Sequence, residues 1–114
     1  MSHDLLQSIF SLDTRIRYAA ILTQRGDRIE GGMRPGVQSL NPEEEEQKMF
    51  TQSAISKGMS ESWIRYFDRW QFLVIGHAKL KMFEFPYQNN ILFVTAEPSI
   101  SLEVVEKILN LLES

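Results

Sequence analysis

At 114 residues the chain has room for one domain, and its 43% hydrophobic and 24% charged content suits a packed protein rather than a disordered one. A net charge of −3 lacks the basic excess that nucleic-acid binding demands. With no cysteine, disulfides, thiolate zinc sites and cysteine nucleophiles are all excluded.

The N-terminal "MSHDLLQSIFSLD" has no basic leader and no long apolar core. No apolar run approaches the roughly 18–20 residues that span a bilayer. A cytoplasmic protein with no membrane partner is the expectation. Leu5, Leu6, Ile9, Phe10 and Leu12 fall at helical spacing, so a short amphipathic helix is predicted over residues 3–12, capped by Ser2 or His3. "RIRYAAILTQ" then reads as a strand. Ile16, Tyr18, Ala20 and Leu22 share one side, and after Arg17 both sides are largely apolar, as in a central strand covered on two faces.

"TQRGDRIEGGM" holds an Arg-Gly-Asp tripeptide and a glycine pair. The adhesion reading fails for want of a secreted, disulfide-bonded context. A phosphate-loop reading fails because the glycine spacing is wrong and no helix follows. Gly26-Asp27 supplies instead the backbone freedom of a hairpin turn into a weaker second strand, where Gly31-Gly32 marks a bulge or the strand's end. "PGVQSL" connects onward.

"NPEEEEQKMF" predicts a helix start, with Asn41 as N-cap, Pro42 in the first position, Glu44 completing a capping box and four glutamates facing the dipole's positive end. Consecutive acids point around a helix, so they do not converge on a metal. Met49, Phe50 and Ala54 share one side. Met59, Trp63 and Phe67 form a second stripe rotated by about a quarter turn, given 100° per residue. Either one long helix has two apolar faces, or it breaks near Gly58 and restarts at a Ser60 cap. A two-faced helix needs a second thing to pack against.

"QFLVIGH" reads as a strand buried on both faces, and "KLKMFEF" alternates with a phase flip between Met82 and Phe83 that suggests a bulge or a change in which face is covered. "PYQNN" is a turn, "ILFVTA" another strand, and "SISLEVVEKILNLLES" a C-terminal helix with a wide apolar face. The order α-β-β-α-β-β-β-α implies an α+β fold, a five-stranded, mostly antiparallel sheet flanked by helices.

This order resembles the roadblock family, the dynein-light-chain and small-GTPase-regulator fold related to profilin and longin domains. The resemblance spans residues 1–114 as a single domain and is carried by the hairpin "ILTQRGDRIE", the long second helix, "NILFVTAEP" and "SLEVVEKIL". The segment "ESWIRYFDRW" is also similar to one in a small archaeal group. The roadblock resemblance implies homodimers or heterodimers formed through the second helix and third strand, with a small GTPase as a further partner and no cofactor. "QFLVIGH" would then lie at a sheet edge that no proline or charge between Phe72 and Gly76 protects. Met49, Phe50, Met59, Trp63, Phe67, Phe72 and Val74 are the candidate interface residues.

No catalytic residue stands out. His3 and His77 have no carboxylate or nucleophile at a telling spacing, and Ser53, Ser56, Ser60 and Ser62 suit polar helix positions or caps. Trp63 and Trp70 flank the basic-aromatic stretch "WIRYFDRW", whose composition suits stacking on nucleobases less well than an interface or core. Residues 41–62 carry five acidic and two basic groups, and residues 63–83 four basic and one acidic. A non-enzymatic dimerisation module is the leading expectation. The rival is a small-molecule sensor domain of PAS or GAF type, which requires an internal pocket with convergent polar groups.

Overall fold

A computed structural model of the chain describes residues 2–113. The elements run α1 (Ser2–Leu12), β1 (Ile16–Leu22), β2 (Arg28–Met33), α2 (Glu43–Glu61), α3 (Ile64–Phe67), β3 (Leu73–Gly76), β4 (Lys81–Tyr87), β5 (Asn90–Ala96) and α4 (Glu103–Glu113). The five strands form one antiparallel sheet in the order β2-β1-β5-β4-β3. The α+β fold expected from the pattern is present, with one short helix more than the sequence suggested. Because α1 already includes Ser2, its cap lies outside the described residues.

The sheet is apolar on both sides because each side has its own cover. Leu6 and Ile9 of α1 and Val104, Val105 and Ile108 of α4 pack on Ile16, Ala19, Ile21, Phe83, Phe85, Leu92 and Val94. On the opposite side Phe50 of α2 packs on Tyr18, Ala20, Leu22, Met82, Ile91 and Phe93. Two-sided burial accounts for the change of phase in β4. Met82 and Phe83 face different helices, and the strand keeps unbroken register with both neighbours, so there is no bulge.

The irregularities fall elsewhere. A register shift between Ile16 and Tyr18 turns Ile16 to the α1–α4 side, whereas simple alternation puts it beside Tyr18. A second shift, opposite Ile29, lies near the start of β2 rather than at Gly31-Gly32. The β1–β2 turn closes with the Thr23 N–H donating to the Asp27 carbonyl at 2.8 Å, and Gly26 there has φ +90. A side chain at Gly26 would also meet the Phe50 carbonyl at 2.7 Å, so the turn lies directly against α2. In the β4–β5 hairpin Tyr87 already pairs with Asn90, leaving only Gln88 and Asn89 in the turn.

α2 begins at Glu43, with Pro42 in the cap position and no side-chain cap. Asn41 instead directs its amide to Met49 Sδ at 3.4 Å and its carbonyl accepts from Ser39. The helix runs unbroken through Gly58 and Ser60 and ends at Glu61. There the Ser62 and Trp63 N–H groups close tight turns on the Met59 and Ser60 carbonyls. The break therefore comes four residues later than glycine placement suggests.

Candidate interaction surface

α2 rests on the sheet through a narrow stripe. Phe50, Ser53 and Lys57, at spacings of three and four, are its buried residues. Phe50 stacks with Tyr18 and Phe93 at centroid separations of 6.2 and 5.6 Å. Ser53 Oγ donates to Glu84 Oε2 at 2.9 Å, and buried Lys57 bonds Glu61 at 2.6 Å. Two of the three anchors are polar. That makes α2 an unusual core helix and leaves its apolar side chains at Ile55 and Met59 in solvent.

Glu84 is 2% exposed, and its Oε1 has no hydrogen-bond partner. Burial pushes its carboxyl above the usual range, with the Ser53 bond opposing only in part. The folded state therefore favours the protonated acid. Its contribution to stability is complete below the ordinary carboxylate pKa and declines as pH rises through the folded one. Glu84→Gln is expected to flatten that decline and to raise the melting temperature at pH 7. Thermal denaturation of both proteins from pH 4 to 8 checks this, and parallel curves would refute it.

Beyond Glu61 the chain carries a dense group of exposed apolar side chains. Trp63, Ile64, Tyr66, Phe67 and Phe72 all reach solvent, and Phe67 is 76% exposed. Trp63 and Phe67 lie 6.2 Å apart, and Asp68, at φ 64, turns the chain back toward β3. Ser60, Trp63, Phe67 and residues 68–72 line an open groove of about 670 Å³. β3 continues from it as the last strand of the sheet, bonded only to β4, with Leu73, Val74 and Ile75 half-buried. The sequence suggested a strand covered on both faces. Its cover is partial because the sheet stops there.

Of the seven candidate interface residues, Trp63, Phe67 and Phe72 come together on this surface, and Met59 is exposed near the end of α2. Val74 lies on β3 and packs partly against the α1–α4 cluster. Met49 is half-buried at the edge of the α2 cluster. Phe50, 4% exposed, is a core residue and is not available to a partner. Sequence reasoning missed Ser53, Lys57 and Glu84. Glu84 between two phenylalanines has the pattern of a solvent-facing residue, and only the helix laid over it makes it buried.

Among the described residues no three histidines or carboxylates gather for a metal, and no helix is long and apolar enough to cross a membrane. The cavity on the α2 side, between Tyr18, Met33, Leu40, Met49 and Phe93, measures about 40 Å³. That volume is well below the roughly 300 Å³ from which small-molecule sites run upward.

No family model and no curated protein matches the sequence. Solved structures do match its shape. The gliding protein MglB from Thermus thermophilus superposes with a TM-score of 0.75 at 13% identity, covering 97% of this chain and 84% of that one. A Roadblock/LC7 domain from Streptomyces avermitilis gives 0.70 at 14% identity, over 95% and 88% of the two chains. An MglB with a tetrameric arrangement gives 0.72 at 12% identity, over 98% and 88%. The fold shared with these proteins is the one that the order of elements suggested.

Proposed function

We propose that this chain, which has the roadblock fold, is a non-enzymatic interaction module, one domain over residues 1–114, that pairs with a second copy of itself. The observation that carries the reading is the unpaired edge of β3, preceded by a groove lined by exposed Trp63, Phe67 and Phe72. An open apolar strand edge recruits another strand, and exposed aromatics beside it supply the apolar core of an interface. The tetrameric arrangement of one MglB shows this fold building assemblies, which supports the reading.

Light scattering on a size-exclusion column is expected to give twice the 13.2 kDa chain mass at micromolar concentration. Met59→Glu and Trp63→Glu are each expected to weaken the dimer at least about tenfold, as aromatic and apolar hot spots do. A wild-type monomer under those conditions would falsify the proposal. The resemblance to regulators of small GTPases supports one of these as a further partner. Titration with small GTPases of the same organism, in their diphosphate and triphosphate forms, tests that assignment.

A further inference from the structure

The two halves of α2 are held to the sheet by different chemistry. The first half is pinned by Phe50, whose ring meets Tyr18 and Phe93, and by Gln47 Nε2, which donates to the Gly26 carbonyl at 3.2 Å. Across residues 53–67, among the described residues, a single side-chain hydrogen bond reaches the sheet, from Ser53 Oγ to Glu84 Oε2 at 2.9 Å. Lys57, the other buried residue of the second half, bonds Glu61 of its own helix. That half is also weakly helical by composition. Ser53, Ser56, Gly58 and Ser60 are poor helix formers, and an isolated helix shorter than about 12 residues is marginal in water. Its seat on the sheet therefore decides whether residues 53–61 are folded.

We infer that residues 53–61 are a strap governed by the proton on Glu84, seated on the sheet while that carboxyl is neutral and released and unwound once it ionises. Glu84 is buried, and its Oε1 has no hydrogen-bond partner. An ionised carboxylate there exchanges its shell of water for the one bond from Ser53, and a buried charge without a partner is strongly disfavoured. No neighbour supplies the countercharge. β3 sets Leu73 opposite Glu84 and β5 sets Phe93 opposite it, and neither strand contains a titratable side chain. On α2 the inward-facing charge is Lys57, taken by Glu61 at 2.6 Å. On β4 itself Lys81 bonds the Ile100 carbonyl at 2.7 Å, and Tyr87 packs against the α1–α4 cluster on the other side of the sheet. Lifting the strap returns Glu84 to water, so the seated form holds the proton more tightly. Seating is complete below the ordinary carboxylate pKa and is lost as pH rises through the raised value of the seated form. The strap carries Met59 and leads into the groove lined by Trp63 and Phe67, so its release disturbs that surface and weakens pairing there. This last step rests on the dimer proposed above.

Hydrogen exchange read by mass spectrometry at pH 5 and pH 8 tests the strap, with Glu84→Gln measured alongside so that the intrinsic pH dependence of exchange cancels. At pH 5 the two proteins are expected to match. At pH 8 the amides of residues 53–61 are expected to exchange at least about tenfold faster in wild type, the change that one pKa unit produces, while residues 47–50 match throughout. Equal exchange of the strap in the two proteins at pH 8 would overturn the inference. So would a difference that extends equally over residues 47–50, since that is global unfolding. Glu84→Met, which removes the unpartnered oxygen as well, serves as the reference should the glutamine variant not fold. By light scattering, wild type is expected to self-associate about tenfold more tightly at pH 5 than at pH 8, and Glu84→Gln equally at both. A dimer equally tight at both pH values would overturn the link to pairing. A monomer at every pH would remove the dimer reading alone, because exchange reports the strap in a monomer as well.

Discussion

Gly31→Ala is expected to cost about 3 kcal/mol of stability, while Gly32→Ala next to it is expected to be nearly neutral. Gly31 has φ +101 inside β2, a conformation that an L side chain occupies at a cost of roughly 1–2 kcal/mol. The added methyl would also stand 2.3 Å from the Ala19 carbonyl oxygen and 2.7 Å from the Ala20 Cα. Both obstacles are backbone of the neighbouring strand, so relief requires β1 and β2 to part. Gly32 has only the movable tip of Arg28 nearby, at 3.7 Å, and its φ is ordinary. Urea or thermal denaturation of the pair decides the matter. About 3 kcal/mol corresponds to a melting shift of roughly 10–20 °C in a domain of this size. Equal stability of the two variants would contradict the geometry.

Arg34→Met is expected to be comparably damaging, at about 3 kcal/mol, for a different reason. The Arg34 guanidinium donates to the Ile16 carbonyl at 2.6 Å, the Phe10 carbonyl at 2.7 Å and the Asp13 carbonyl at 2.8 Å. Its Cζ also lies 5.0 Å from the centroid of the Phe10 ring. One cation thus satisfies acceptors at the end of α1, in the following turn and at the start of β1. Bonds to a charged donor contribute about 1.5–3 kcal/mol each, and three bonds sharing one side chain do not add independently. Methionine keeps much of the apolar stem and leaves the carbonyls without the donor. Arg34→Lys is expected to recover part of the loss, since an ammonium cannot reproduce the planar fork. Chemical denaturation of the three proteins, read by far-ultraviolet circular dichroism, checks the ordering.

The elements that the sequence disclosed are those whose pattern is local. α1, α4, β1 and β5 announce themselves by spacing, and the β1–β2 turn by Gly26-Asp27. What stayed hidden depends on neighbours distant in sequence. Ile16 changes sides because of a shift in its pairing with β5. The apolar phase of β4 seemed to break because α2 covers one of its faces and α1 with α4 the other. Glu84 became a buried acid only once Ser53 was set above it. Pro42 in place of Asn41 at the head of α2 is a one-residue difference that capping preferences do not resolve. Of the candidate surface, the aromatic cluster from Met59 to Phe72 was legible from composition. Phe50 reads from sequence as a candidate interface residue and is buried, because its spacing with Met49 and Ala54 does not say which stripe meets the sheet.

The strand order carries a consequence for how the chain acquires its shape. β1 and β5 are paired at the centre of the sheet, from Ile16 with Ala96 to Leu22 with Ile91, across about 70–80 residues. Closing a loop of that length costs on the order of 4 kcal/mol of chain entropy before any contact compensates. The three hairpins, β1–β2, β3–β4 and β4–β5, are local and can form first. Their union waits for β5, so during synthesis the N-terminal hairpin has no permanent neighbour until most of the chain has left the ribosome. The edge of β1 that will pair with β5, at Ala19, Ala20 and Ile21, stays unpaired in that interval, and the left-handed kink at Gly31 lies across the strand from them on β2. A strand bent in this way is a poor template for a flat intermolecular ladder, which limits aggregation of the nascent chain.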